Sequence, residues 1–240
     1  MPDTRSHRGP HPDDAADFAP AMEQRLALAC GELSYLSTRG YAEHASLKLV
    51  GDRHQLRARQ RSAILRAACS DEARARRSLR RVELCEARTR PLAIDGFNCL
   101  ITIECMLGRA PVFEGRDGAL RDLASVHGTY RQVQETERAV ELMLDLFARH
   151  AIADAQLWLD RPVGNSGRLA QVIEAAALRR ALPLRVVLSE GVDRGLYELG
   201  CVVASSDSWL LDRAPAWLDV PRAVAEHAGL APWLLRLGTP

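Results

Sequence analysis

The stretch AQLWLDRPVGNSGRLAQVIEAAALRRALPLRVVLS (155–189) decides the fold class. Its two apolar runs, 155–160 and 184–189, are short enough to be buried strands. Between them, residues 166–182 carry apolar side chains at helical spacing behind the turn residues Gly164, Asn165 and Ser166. Strand, helix and strand in succession predict a parallel pair with a crossover helix. The same alternation extends in both directions. Upstream, LAID (92–95) reads as a strand followed by a helix over 99–107, PVF (111–113) as an edge strand or loop, and 135–150 as an amphipathic helix. Downstream, CVVASSD (201–207) and AWLDV (216–220) read as strands, with helices over 208–213 and in PRAVAEHAG (221–229). Residues 91–240 are therefore expected to form an α/β domain, a parallel sheet sandwiched by helices, with every strand's carboxyl end opening on one edge.

The chain ahead of residue 91 has a different character. Residues 1–20 are rich in Pro, Asp and His and read as a disordered leader. Residues 21–90 are expected to be an all-helical module. Helices over 21–39, 43–50 and 57–69 are separated by glycine-containing turns in a helix-turn-helix-like order, and 70–90 continue as a charged helical connector. The net charge of +1 conceals an asymmetry, because residues 48–90 carry 13 basic side chains against 5 acidic ones. All but one of those bases, Lys48, are arginine. Arginine forks match phosphate geometry, so this arm is read either as a nucleic-acid contact through Arg53, Arg59 and Arg61 or as a solvated helix face. No apolar run is long enough to span a membrane. The six cysteines show no CxxC pair and no signal peptide precedes them, which together predict reduced thiols in a cytoplasmic protein.

Three of the expected strands end in aspartate: Asp95, Asp160 and Asp207. Any one of these is explained equally well as the cap of a following helix. Three on one edge repel one another, and a hard cation such as Mg²⁺ or Mn²⁺ offsets that repulsion through oxygen ligands. Asp95, Asp160 and Asp207 are accordingly assigned catalytic roles. Asn98, Ser166 at a helix start and Ser205 are assigned to phosphate, Ser166 being otherwise an ordinary N-cap. Asp212 lies five residues after Asp207 and is expected to reach the same edge.

The strings SYLSTRGY (34–41), LKLVGDRHQL (47–56), RQR (59–61) and CSDE (69–72) resemble an uncharacterised prokaryotic family, domain of unknown function 434. IDGFNCLITIE (94–104), LDRPVGNSG (159–167) and VVASSDSWLLDR (202–213) resemble the domain that usually accompanies it. A more distant similarity, to PIN and NYN nucleases, rests on Asp95 in IDGFN, on Glu137 about forty residues later, and on Ser205-x-Asp207. That likeness implies a Mg²⁺- or Mn²⁺-dependent ribonuclease, or an inactive RNA-binding relative, with Asp95, Glu137 and Asp207 on the metal and Asp160 or Asp212 adjoining. The sequence departs from the PIN layout at Ser208-Trp209, where many such domains place a further acidic residue. The resulting expectation is a metal-dependent ribonuclease with a basic arm. Its rivals are a non-catalytic RNA- or ribosome-binding adaptor and a small-molecule phosphohydrolase.

Overall fold

The computed structural model describes residues 7–124 and 130–238. The N-terminal helices are α1 (Asp14–Asp17), α2 (Pro20–Thr38), α3 (Glu43–Arg53), α4 (Ala58–Ala67), α5 (Asp71–Arg80) and α6 (Leu84–Ala87). Then come β1 (Leu92–Asp95), α7 (Gly96–Leu107), β2 (Val112–Glu114), β3 (Leu120–Arg121), α8 (Thr136–Arg149), β4 (Ala155–Asp160) and α9 (Ser166–Arg179). The chain finishes with β5 (Leu184–Ser189), α10 (Val192–Glu198), β6 (Val202–Ala204), α11 (Ser208–Arg213), β7 (Ala216–Leu218), α12 (Val220–Ala228) and β8 (Leu234–Arg236). Among the described residues, no helix is long and apolar enough to cross a membrane.

Five strands form a parallel sheet in the order β5-β4-β1-β6-β7. The chain moves outward from β1 to β4 and β5, then returns to the other side of β1 for β6 and β7. The carboxyl ends of β1 and β6 are thus the point where the winding reverses, the position at which open α/β sheets bind ligands. Strand alternation divides the side chains between two helical layers. Leu92, Ile94, Leu157 and Leu159 pack in one core with Leu100, Met143, Phe147, Ile173 and Val224 of α7, α8, α9 and α12. Ala93 and Val203 face Val192 and Leu196 of α10 and Leu210 of α11, with Trp158 against them. Asp95 and Asp160 share strand parity with Ala93 and Trp158, and so emerge on the α10–α11 side.

Glycine permits two close approaches. A Cβ on Gly96 would lie 2.6 and 2.7 Å from Leu157 and Leu159 methyls and 2.8 Å from the Trp158 carbonyl oxygen. On α10, a Cβ on Gly195 would lie 2.4 Å from the Trp158 ring. The glycine of IDGFN therefore lets α7 start hard against β4, which fixes Asp95 at the sheet edge.

A second sheet, β3-β2-β8, joins the two parts of the chain. Its Phe113 and Leu235 sit in one core with Leu26 and Leu33 of α2, Val50 of α3 and Ile64 of α4. Residues 7–20 are not a free leader, which corrects that expectation; residues 1–6 lie outside the described part. Phe18 is buried in this core, edge-on to Phe113 at 5.0 Å. Arg8 is also buried, donating to Glu104 on α7 at 2.8 Å. The connector differs from a continuous helix too. It breaks after α5, where Arg81 forms a parallel bridge to Trp217 on the edge strand β7.

Candidate functional site

Asp95 ends β1 and caps α7, its Oδ1 accepting the Asn98 backbone N–H at 3.2 Å. The loop after β6 supplies a second bond, from the Ser205 hydroxyl to Asp95 Oδ2 at 3.0 Å. Among the described residues, no cationic side chain is bonded to Asp95, and it is buried. Burial, with the nearby charges of Asp193 and Asp160, outweighs the two hydrogen bonds and pushes its carboxyl up to about 7.

Asp207 caps α11, accepting from the Trp209 and Leu210 backbone N–H groups at 2.8 and 3.1 Å through Oδ1. Asp160 is half-buried at the end of β4, and desolvation raises its carboxyl. Asp193, in the first turn of α10, is raised by desolvation and then by the charges of Asp207 and Asp160. These four carboxylates form one electrostatic group on the α10–α11 side of the sheet edge. Among the described residues, no three His, Cys, Asp or Glu side chains converge closely enough to ligate one metal ion directly.

Beside Asp207 opens a pocket of about 330 Å³ lined by Arg66, Asn98, Arg121, Asp122, Ser206 and Ser208. The Asn98 carboxamide oxygen accepts from the Ser206 backbone N–H and hydroxyl at 2.8 and 3.0 Å, tying α7 to the β6 loop. Arg66 reaches in from α4, its Nη1 donating to the Asp122 carbonyl oxygen at 2.6 Å.

Several expected site residues lie elsewhere or are already engaged. Glu137 is exposed in the first turn of α8, and among the described residues no hydrogen bond joins it to Asp95 or Asp207. Asp212 faces α5: Arg77 holds both its oxygens at 2.9 and 2.8 Å, and Arg76 adds a bond at 2.8 Å. Five residues along α11 rotate it away from Asp207 and onto the arginines. Ser205 is buried and spends its hydroxyl on Asp95, so it positions a carboxylate and offers nothing to phosphate. Ser166 is the first residue of α9 and not its cap, which is Asn165 at φ 70°; its buried hydroxyl donates to the Arg161 carbonyl oxygen at 3.3 Å.

The basic arm is likewise occupied. Arg59 grips Asp14 with two bonds at 2.7 and 3.1 Å. Arg61 donates to the Leu56 carbonyl oxygen and to Asp52 at 2.9 and 2.8 Å, and Arg53 pairs with Glu32 at 3.2 Å. Leader aspartates that looked like disordered sequence are partners of the arm. Two site members carry no signal in the sequence: Asp193, because it lies in the short stretch between two strands rather than at a strand end, and Arg66, because its distance in sequence from Asp207 gives no hint of contact.

Comparison with known proteins follows the same division of the chain. A family model described as domain of unknown function (DUF5616) matches residues 84–223, which include Asp95, Asn98, Asp160, Asp193 and Asp207. A second, described as protein of unknown function (DUF434), matches residues 25–80, which include Arg66. An uncharacterized protein of Methanocaldococcus jannaschii is 29% identical over 184 residues, covering 75% of this chain and 86% of that protein. No solved structure matches the chain.

Proposed function

We propose, for a chain that belongs to the domain of unknown function (DUF5616) family, that the sheet edge is a metal-dependent hydrolytic site for phosphodiesters of single-stranded RNA. One observation carries this reading. A buried carboxylate with no cationic partner among the described residues, Asp95, sits at the reversal point of the sheet within a group of four acids. Such a group is costly to hold in place unless something positive joins it.

The donors are all carboxylate oxygens, which suit Mg²⁺ or Mn²⁺. Mg²⁺ keeps several waters and takes one or two protein carboxylates, so the lack of a three-carboxylate convergence agrees with its habits. Asp95 and Asp207 would hold the ion, with Asp160 and Asp193 bonding to its waters. Bound there, the ion would supply Lewis acidity and make a bound water more acidic. Ser205 fixes the orientation of Asp95, and the Asn98 N–H holds the other oxygen. Asn98 and Arg66, which line the pocket beside Asp207, would receive a phosphate and neutralise charge on it. Arg66 takes the role first given to Arg53, Arg59 and Arg61.

The test is cleavage of a single-stranded RNA panel with Mn²⁺ by the wild type and by Asp95→Asn. The variant is expected to lose activity by at least about 100-fold, and chelation of the metal should do the same to the wild type. Equal rates in wild type and variant would remove the site from the reaction. A second reading, a non-catalytic RNA-binding protein, is favoured by one fact: Asp207 is already used as a helix cap. It predicts RNA binding without turnover in either protein.

A further inference from the structure

Tyr197 and Trp209 are exposed at 45% and 39%; Tyr35 and Tyr41 are exposed too, but they lie on the N-terminal helical part of the chain, away from the site acids. Their rings meet edge-on, with centroids 5.8 Å apart at 78°. Both belong to the helices that carry site acids. Trp209 follows Asp207 by two residues and donates its backbone N–H to that carboxylate at 2.8 Å. Tyr197 lies four residues past Asp193 on α10, one helical turn of about 5.4 Å. The Arg213 guanidinium lies over the Trp209 ring, 4.5 Å from its centroid, with Nη1 donating to the Trp209 carbonyl oxygen at 3.2 Å.

We infer that Tyr197 and Trp209 form a stacking platform that seats one unpaired nucleobase beside the acidic edge, with Arg213 as its cationic neighbour. This rests on the phosphodiester reading of the edge and adds how the strand is held. Bases stack on aromatic and guanidinium planes with little regard to sequence, and single strands expose the faces that duplexes hide. The edge itself is acidic and repels phosphate, so grip from base stacking compensates where charge cannot. In sequence the pair is flanked by the exposed polar side chains of Arg194, Glu198, Ser208 and Arg213 and by exposed Leu199.

The experiment measures binding without turnover. Full-length Asp95→Asn protein is titrated into fluorescein-labelled oligouridylate and into an abasic strand of equal length, and anisotropy is followed. Trp209→Ala and Tyr197→Ala, each added to that background, are expected to weaken oligouridylate binding about tenfold. Trp209→Phe, which keeps a ring, should retain most of the affinity. The abasic strand should bind more weakly than oligouridylate and with the same affinity to all four proteins. Unchanged oligouridylate affinity in Trp209→Ala, an equal loss on the abasic strand, or no binding of either strand by the parent would each overturn the platform. None of these outcomes bears on whether Asp95 is needed for cleavage, which the earlier comparison of rates decides separately.

Discussion

Asp95, Asp207 and Asp219 all follow a strand and accept backbone N–H bonds from the helix they precede, at Asn98, at Trp209 and Leu210, and at Arg222. Capping explains why an aspartate stands at these places, and strand–Asp–helix is a pattern that sequence displays openly. It does not explain why Asp95 is buried with Ser205 as its other partner, because a cap functions as well in water. Ser205 is the residue on which that arrangement depends. Its hydroxyl donates to Asp95 and its oxygen accepts the Asp207 backbone N–H at 3.1 Å, so one side chain sets two site carboxylates. Ser205→Ala leaves a buried acceptor and a donor unserved and is expected to cost about 1–3 kcal/mol in urea unfolding, with a fall in RNA cleavage. Unfolding at the wild-type urea concentration would show that the two bonds contribute nothing. The three acids at strand ends were readable because the apolar runs before them are unmistakable. Asp193 was not, since its strand ends at Ser189 and the acid arrives four residues later, inside a short helix that GVDRG disguises as a turn.

At the scale of elements, α5 is the fastening between the arginine-rich helices and the site. Buried Arg77 donates to Asp117 at 2.7 Å and to Asp212 at 2.9 and 2.8 Å. Arg121 of β3 closes on the other side of Asp117 at 2.8 and 2.7 Å and donates to the Ser206 carbonyl oxygen at 3.0 Å. The arginines hold the Asp117 carboxyl well below its ordinary range against the cost of its burial. Removing one member strands the others, so Asp117→Asn should destabilise by about 3–5 kcal/mol. The sign with pH follows from the depressed value. The stabilisation is complete above the unfolded carboxylate pKa near 4 and is lost only as pH falls through the lower folded value. The gap between wild type and Asp117→Asn in urea midpoint should therefore be level from about pH 8 to 5 and shrink in stronger acid; a gap that grew on acidification would contradict this assignment. Long elements were legible for a related reason: β4 and β5 are each a six-residue, largely apolar run, and such a run announces a strand. β3 has two residues and β8 three, and each is a strand only through its pairing with β2. No local pattern contains that pairing.

Over the whole molecule, the acidic leader and the basic arm are two halves of one structure. Asp14 and Asp17 on α1 take Arg59 and Arg57, and Phe18 completes the core that α2, α3 and α4 share with the second sheet. Part of the charge imbalance between segments is complementarity, since two leader aspartates pair with two arginines of the arm. Arg8 carries the same strap further, reaching Glu104 on α7, which Thr136 and Tyr130 also bond. A chain lacking residues 1–19 would leave Glu104 buried without its cation, uncover the second sheet at Phe113 and free Arg57 and Arg59. Loss of the Phe18 side chain alone is worth about 3–5 kcal/mol in a core of this kind. Both the truncated chain and Phe18→Ala are therefore expected to melt well below the wild type, and the truncated chain to bind a hydrophobic dye in its folded baseline. With Arg57 and Arg59 released, the truncated chain should also bind single-stranded RNA with a steeper dependence on salt than the intact protein, because it gains cations that can displace counterions. A truncated chain with the wild-type melting temperature and salt dependence would return residues 7–20 to the role of a loose leader.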